Sequence, residues 1–319
     1  MNEAIGGYFH LELTQNKEYY TNFLRLNTAR NALEYIIKAR NYKKLLLPKY
    51  SCDSIIQPLK KNKIKFDFYT INEKLTPELT NSTIDEETCL LVINYFGLLD
   101  EKISQITTLF RNIIIDNSQA FFSHPFENID TFYSVRKFFG VPDGAYLFTN
   151  VFLEEKIGKS ISWNFFDFLT KRIDLSPEEG YSDFLKNEER LNDQPIKIMS
   201  DLTLQILRSI DYDAVKKKRI ENFWFLHMKL KDINELSFLI EESNFNTPMI
   251  YPLLINKKGL RESLISNHIY IAQYWQEVLK RTNSHDWERY LSKNLIPLPI
   301  DHRYSINDMK RILKILKLV

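Results

Sequence analysis

The spacing of apolar residues along the chain predicts strands that alternate with helices. Helical stretches repeat apolar residues every three or four positions, whereas the strands are short apolar runs of the kind buried in parallel sheets. Up to residue 150 the pattern predicts helices at 29–39, 53–61 and 101–110, and strands at 45–47, 65–71, 89–93, 113–115, 131–135 and 145–148. Either Asn27 or Thr28 is placed to cap the first helix. Such βαβ units imply a mostly parallel sheet covered by helices on both faces.

The second half of the chain follows a less regular pattern. Residues 154–195 are polar and helical only in parts, which indicates surface helices and an excursion from the sheet. Residues 201–230 are predicted to form one long helix. From residue 246 onward, a strand is predicted at 249–255 and helices at 260–267 and 306–316.

Length and composition favour a globular protein with one large and one smaller domain. The chain has 319 residues, of which 44% are hydrophobic and 26% charged, so it can bury a substantial core. We therefore predict an α/β fold, a mostly parallel sheet sandwiched by helices, in a large domain at 1–215. A smaller α+β C-terminal domain is predicted at 216–319.

Charge and cysteine content argue against several classes of protein. The net charge is only +2, from 43 basic and 41 acidic residues, so neither nucleic acid nor an anionic membrane is an expected partner. Cys52 and Cys89 lie in no CxxC or Cys/His pattern, which argues against a disulfide framework and a metal site. The sequence shows no secretory leader and no apolar stretch of membrane-spanning length. We expect a cytoplasmic protein.

Two residues at predicted strand ends are candidates for chemistry, because ligands of open α/β sheets bind beyond the carboxyl ends of the strands. Asp116 follows three isoleucines. Its carboxylate either caps the next turn or pairs with a cationic ligand such as a protonated pyridine nitrogen. Lys137 enters a loop that ends at Gly144, and it is either a solvated lysine or a desolvated amine nucleophile.

The residues before the first long helix are a candidate phosphate site. Small residues at a helix N-terminus, here Thr28 and Ala29, allow a phosphate to approach the free amides and the positive end of the helix dipole. No GxSxG, Walker A or GxGxxG pattern is present. The nucleotide-binding and serine-hydrolase signatures are therefore missing.

In this order the candidate residues resemble the DegT/DnrJ/EryC1/StrS family of sugar aminotransferases, which use pyridoxal 5'-phosphate. The resemblance runs from Gly6 to Pro299 and is best between Leu26 and Phe148. The similar segments are Thr28-Ala29-Arg30-Asn31-Ala32-Leu33, Leu47-Pro48-Lys49-Tyr50-Ser51-Cys52, Asn94-Tyr95-Phe96-Gly97, Asp116-Asn117-Ser118-Gln119, and Ser134-Val135-Arg136-Lys137 followed by Gly144-Ala145.

The resemblance implies a role for each residue of the site. It implies phosphate binding at Thr28, Ala29 and Arg30, ring packing by Cys52, a pyridine-nitrogen contact from Asp116, a phenolic-oxygen contact from Gln119, and a covalent link to Lys137. Phe132 stands five residues before the lysine, where the family has a phosphate-binding serine, so either Ser134 or Thr131 takes that role. Ile196-Lys197-Ile198-Met199-Ser200 stands where the family has the partner-subunit phosphate segment, in which Lys197 is the candidate.

The function implied is amino-group transfer, with glutamate as the expected donor, to a keto-sugar linked to a nucleotide. The fold implied is that of fold-type I enzymes, usually homodimers with active sites at the subunit interface. One alternative is a sugar dehydratase using the same cofactor, against which Lys137 argues because that branch carries histidine there. Another is a degenerate homologue that serves as a binding or scaffold protein, favoured by Phe132, Cys52 and Ile196.

Overall fold

A seven-stranded sheet forms the centre of the computed structural model, which describes residues 5–79, 87–242 and 244–317. Its strands are β1 (Leu24–Leu26), β2 (Lys44–Pro48), β3 (Lys65–Tyr69), β4 (Thr88–Ile93), β5 (Ile113–Asp116), β6 (Asp130–Ser134) and β7 (Ala145–Phe148). They lie in the order β1-β7-β6-β5-β4-β2-β3, and β7 is antiparallel to both of its neighbours. The other pairs are parallel. The predicted mostly parallel sheet is confirmed, although the strand predicted at 65–71 ends at Tyr69.

Helices cover both faces of this sheet, as predicted. The helices of the first half are α1 (Ala29–Arg40), α2 (Ile56–Lys61) and α3 (Asp100–Leu109). One face of the sheet, including Leu91 and Ile114, shares a core with α1 and α2. The opposite face, including Val92 and Tyr133, shares a larger core with α3 and the C-terminal half. Continuously apolar strands are therefore buried from both sides.

The chain leaves the sheet after β7 and forms a helical hairpin of α4 (Asp167–Asp174) and α5 (Pro177–Arg190). These are surface helices, as predicted for 154–195: α4 buries no side chain, and α5 buries only Gly180 and Asn187. The two helices pack closely because position 180 has no side chain. A Cβ atom there would lie 2.9 Å from the carbonyl oxygen of Phe168.

The single helix predicted at 201–230 is wrong, because the chain breaks into α6 (Asp201–Arg208) and α7 (Tyr212–Leu230). Asp211 causes the break: its Oδ1 accepts the Ala214 N–H at 3.0 Å and caps α7. The Tyr212 hydroxyl donates to the Leu207 carbonyl at 2.8 Å and closes the turn. The predicted domain division at 215/216 falls inside α7, and the assignment of two domains at these bounds stays a prediction.

A small α+β arrangement follows α7. Its elements are α8 (Ser237–Glu241), β8 (Ile250–Leu254), α9 (Leu260–Ser266), α10 (Trp287–Asn294), β9 (Leu295–Pro299) and α11 (Ile306–Leu316). Strands β8 and β9 pair antiparallel, and α11 packs on α7 and α9. In the described part of the chain, no helix has the length and apolar character required to cross a membrane.

Candidate active site

The carboxyl ends of β1, β5 and β6 meet at one edge of the large sheet. Leu26 and Ser134 are both paired with Ala145 of the intervening β7, and Asp116 is paired with Phe132. Since paired strands lie about 4.8 Å apart, the start of α1, the end of β6 and Asp116 fall within a few strand widths of one another. The edge thus gathers the residues singled out from the sequence.

Asp116 is a buried acid without a bonded cation. Its side chain is 6% exposed, and its Oδ1 accepts the Ser118 N–H at 2.7 Å. Burial raises the pKa of this carboxyl, and the charge of Lys137 acts against that rise. Among the described residues, no lysine, arginine or histidine forms an ion pair with Asp116. The carboxylate therefore has Lys137 as a neighbouring charge but no ion-pair partner among the described residues, although a buried charge is stabilised by one.

Lys137 ends a 3₁₀ turn, Val135–Lys137, that directly follows β6. Its side chain is exposed, whereas the next two residues, Phe138 and Phe139, are buried in the main core. Aromatic residues packed beneath the turn therefore hold the lysine at the protein surface, where it borders the cavity described below. It shares the sheet edge with Asp116, as predicted.

The loop after Lys137 is fixed at its far end by Asp143 and Gly144. The Gly144 N–H donates to the Asn27 carbonyl at 2.6 Å, which joins this loop to the start of α1. Asp143 is fully buried, and its Oδ1 accepts the Ser200 hydroxyl at 2.7 Å and the hydroxyl of Thr203. The lysine loop, the start of α1 and the start of α6 are thus one bonded unit.

Gly144→Ala is expected to lower the free energy of unfolding by about 2–4 kcal/mol, since it adds steric overlap to backbone strain. Gly144 has φ +116°, and a Cβ atom would lie 2.6 Å from Val135 Cγ2. Urea unfolding measures the loss. Gly259→Ala is the matched control, because Gly259 has φ +82° with no atom within 4 Å of the new Cβ. It should lose only about 1–2 kcal/mol, from strain alone. Equal losses in the two variants would contradict the steric argument.

Thr28, rather than Asn27, caps α1. Its Oγ1 accepts the Asn31 N–H at 3.0 Å and lies 2.7 Å from Asn31 Oδ1. Its hydroxyl is therefore engaged within the helix, and the free N–H groups of the first turn remain as donors to an anion. Ala29 and Arg30 are half-buried in that turn.

Arg30 and Cys52 lie beside each other near the start of α1. Burial lowers the pKa of Arg30. The Arg30 guanidinium donates to Gln57 Oε1 at 3.2 Å, and Cys52 Sγ accepts the Ser54 N–H at 3.4 Å. The Arg30 bond thus joins α1 to α2, whereas the Cys52 bond lies within the turn that follows β2. Their contacts with a cofactor stay predictions.

Gln119 is buried near the end of β4, with one end of its amide already bonded. Its Oε1 accepts the Phe96 N–H at 2.8 Å, which leaves Nε2 as the end that can donate to a ligand. Asn94 stands where the family that this chain resembles has histidine, and its side chain bonds within the turn after β4. It accepts the Leu99 N–H at 3.0 Å and donates to Asp100 at 2.7 Å.

The structure separates the two candidate hydroxyls of β6. The Thr131 hydroxyl donates to the Ile129 carbonyl at 3.2 Å, and Thr131 shares its face of the sheet with Tyr133. Ser134 alternates onto the opposite face, which is the face of Asp116. The geometry therefore favours Ser134 as the phosphate ligand. Phe132 packs in the core beneath α1 and contributes no polar group.

Two arginines near this edge were not identified as candidates from the sequence. Arg136 forms an ion pair with Glu188, and burial together with the charge of Arg30 lowers the pKa of Arg136 to about 10. Arg219 of α7 is 1% exposed and donates to the Met249 carbonyl at 3.0 Å. Burial lowers its pKa to about 10 as well. The basic run at 216–219 resembles a solvated helix face, so only the packing distinguishes the arginine.

A cavity of about 760 Å³ opens beside Lys137, between the α4–α5 hairpin and the C-terminal elements. Its wall includes Arg172, Arg219, Arg303 and Arg311. Arg303 is neutralised by Asp301 at 2.7 Å, but Arg172 forms no ion pair within the described chain. The size suits a small-molecule site, and the excess of cations favours an anionic ligand.

The segment 196–200 runs beside the start of α1. Asn27 donates its backbone N–H to the Lys197 carbonyl at 2.9 Å, and the Lys197 N–H donates to Asn27 Oδ1 at 3.1 Å. It is therefore anchored in this chain, close to the predicted phosphate site. A phosphate contact from Lys197 stays a prediction. The described residues contain no cluster of side chains able to hold a metal ion, and both cysteines are free.

Comparison with known proteins identifies the fold. No protein-family model matches the chain, and no curated protein sequence matches it. Among solved structures, the chain is similar to DesV of S. venezuelae, with a TM-score of 0.64 and 12% identity over 92% of this chain and 84% of that one.

Two further structures give similar values. A DegT DnrJ EryC1 StrS aminotransferase from Brucella abortus has a TM-score of 0.63 and 14% identity, over 92% of this chain and 85% of that one. PseC of Helicobacter pylori, an aminotransferase of pseudoaminic acid biosynthesis, has a TM-score of 0.61 and 15% identity over the same shares. This chain therefore has the fold of these aminotransferases, as the resemblance of its motifs predicted.

Proposed function

We propose that the chain is a pyridoxal-phosphate-dependent aminotransferase that transfers an amino group, with glutamate as donor, to a keto-sugar linked to a nucleotide. The observation that carries this proposal is the meeting of Asp116, Lys137 and the start of α1 at one sheet edge. The shared fold supports it, since the structures named above include sugar aminotransferases. We further propose a homodimer in the cytoplasm, for which the two free thiols are suitable.

The residues at the edge fit this cofactor. A protonated ring nitrogen would supply the bonded cation that the buried Asp116 carboxylate lacks. The first-turn amides of α1 and the Ser134 hydroxyl would hold the phosphate, and Gln119 Nε2 would donate to the phenolic oxygen. The edge thus offers one suitable group for each polar part of the cofactor.

Lys137 would hold the cofactor covalently and then act as the proton-transfer group. Its exposed side chain stands on the cavity wall, where a substrate can reach the amine, and the buried Phe138 and Phe139 fix the turn behind it. Bound pyridoxal phosphate supplies an electron sink for the charge that develops when the substrate C–H bond breaks. Asp116 stabilises the positive end of that sink, since a buried carboxylate favours the protonated ring nitrogen.

The cavity supports an anionic sugar derivative as the acceptor. Its volume of about 760 Å³ lies in the usual range for small-molecule sites. Arg172 in its wall has no ion-pair partner among the described residues and suits a phosphate group. The nucleotide part of the substrate rests on the resemblance to the aminotransferase family.

Adding pyridoxal phosphate to the purified chain is expected to produce a visible absorbance band, because the cofactor becomes linked to a protein amine. Glutamate should then remove the band, as its amino group is transferred, and α-ketoglutarate should restore it. Glutarate is the matched control: it has the same two carboxylates but no amine, so the band should persist. A loaded protein that is inert to a panel of amino donors would support the scaffold alternative.

A further inference from the structure

The exposed apolar side chains of this protein are concentrated in two segments. The structure exposes eighteen large hydrophobic side chains in its described residues, of which four lie between residues 5 and 11 and eight between 152 and 185. Scattered exposed apolar residues are normal, but concentration in two short segments marks surfaces that contact a partner.

The first segment is an extended arm, residues 5–13, that forms neither helix nor strand. Tyr8 is 98% exposed and Phe9 is 91% exposed, so these rings make almost no contact with their own chain. The backbone is first bonded to the main body beyond the arm, where the Asn16 N–H donates to the Arg208 carbonyl at 2.9 Å. The arm thus carries two large aromatic rings that the rest of the chain does not bury.

The second segment includes the α4–α5 hairpin and the residues that lead into it. Trp163 is 74% exposed, Ile173 of α4 is 82% exposed, and Tyr181 of α5 is also exposed. The hairpin is nevertheless fixed to the body, because Asn187 donates to the Pro142 carbonyl at 2.8 Å and Arg190 stacks on Phe165. It is a rigid apolar surface, in contrast to the arm.

We propose that the arm of one copy packs on the exposed apolar side chains of the α4–α5 hairpin of a second copy. The proposal rests on the homodimer of the proposed function and names its contact surface. The same hairpin contributes Arg172 and Glu178 to the cavity wall, so an arm seated on its apolar side chains packs against an element that also borders the cavity. In a two-fold dimer the contact occurs twice, once on each hairpin.

Area supports a second copy as the occupant. Covering Tyr8 and Phe9 removes roughly 150–250 Å² of surface each from water. With the apolar side chains of the hairpin, this reaches the scale of a stable interface, about 800 Å² per partner. Because both surfaces belong to every chain, one symmetric contact covers them together.

Charge argues against a lipid surface as the occupant. Residues 167–190 contain seven acidic and four basic side chains, so anionic lipid would be repelled from the hairpin. The exposed apolar side chains of the hairpin are therefore better suited to the aromatic residues of a second copy's arm than to a membrane.

The first test is sedimentation of the full chain with serine at both aromatic positions, Tyr8→Ser with Phe9→Ser. We expect the dissociation constant of the dimer to rise about 100-fold, since two buried aromatic anchors are lost. Leu109→Ser is the matched control, because Leu109 is an exposed apolar residue on α3, outside both segments. It should leave the constant unchanged. A double variant that dimerises like the wild type would overturn the proposal.

The second test locates the arm directly. A photoreactive phenylalanine analogue replaces Phe9 in isotopically heavy and light chains, which are mixed, exchanged and irradiated. Crosslinks are expected from position 9 to peptides within 161–185. Because random exchange of equal amounts makes half of the dimers mixed, about half of these crosslinks should join a heavy chain to a light chain. Crosslinks confined to single chains would overturn the proposal. Covalent labelling of Lys137 by cofactor and borohydride is measured in the same samples. Absence of the arm crosslink can then be distinguished from absence of cofactor binding.

Discussion

Lys137→Ala is expected to abolish covalent attachment of pyridoxal phosphate and to reduce transaminase turnover at least about 1,000-fold, since both the nucleophile and the proton carrier are lost. The expectation follows from the position of Lys137 after β6, where its charge acts on the buried Asp116 carboxyl. Borohydride reduction of cofactor-loaded wild type, followed by peptide mass analysis, should find the pyridoxyl group on the peptide containing Lys137. The alanine variant should show no labelled peptide.

Two further variants separate chemistry from charge. Lys137→Arg keeps the positive charge but should fail equally, because a guanidinium stays protonated and cannot attack a carbonyl carbon. Lys197→Ala is the matched control, since Lys197 lies beside the start of α1 but belongs to the segment bonded to Asn27. It should keep the label at Lys137. Label on Lys197 in the wild type, or turnover by the Lys137→Ala variant, would show that the site assignment is wrong.

The sheet and the candidate edge could be predicted because their signals are local. Continuously apolar runs such as 89–93 and 113–115 are buried on both faces, so their composition alone identifies them as strands. Asp116 is the abrupt polar residue after such a run, and the carboxyl ends of parallel strands share one edge. The order of residues was therefore enough to predict the edge at which these candidate residues lie.

Features that depend on tertiary packing could not be predicted in this way. Apolar residues have helical spacing throughout 201–230, so the sequence pattern does not reveal the break between α6 and α7. The break becomes clear in the structure, where Asp211 Oδ1 accepts the Ala214 N–H. The sequence left both Ser134 and Thr131 as candidates, with a slight preference for Ser134. Alternation along β6 puts them on opposite faces, and the pairing of Phe132 with Asp116 shows that Ser134 is on the face of Asp116. The burial of Arg219 depends on strand β8, some thirty residues later in the chain.

Asp116, the proposed partner of the cofactor's ring nitrogen, is expected to destabilise the cofactor-free protein. Its pKa is raised by burial, so the folded state binds the proton more tightly than the unfolded state. For such a group, stability falls as the pH rises through the range between its unfolded and folded pKa values. Above its folded pKa, the cofactor-free fold therefore contains an ionised carboxylate that it would hold more favourably in the neutral form.

Asp116→Asn is expected to raise the urea midpoint of the cofactor-free protein at neutral pH, because asparagine removes the buried charge and keeps the shape. The difference from wild type should shrink as the pH falls toward the ordinary aspartate range, where the wild-type carboxyl becomes neutral. Asp143→Asn is the matched control, since Asp143 is also buried but accepts bonds from Ser200 and Thr203. It should lose about 1–3 kcal/mol of unfolding free energy.

The same Asp116→Asn change is expected to reduce kcat at least about 100-fold at saturating cofactor, with the label still on Lys137. A neutral amide cannot hold the ring nitrogen protonated, and loss of a buried charged partner is worth about 3–5 kcal/mol. If the variant is more stable without cofactor but turns over more slowly, Asp116 acts in catalysis. Mutating a residue that only supports the fold would lower both stability and turnover. Near-wild-type turnover would exclude the contact with the ring nitrogen, and a lower urea midpoint would show that the carboxylate caps the turn after β5.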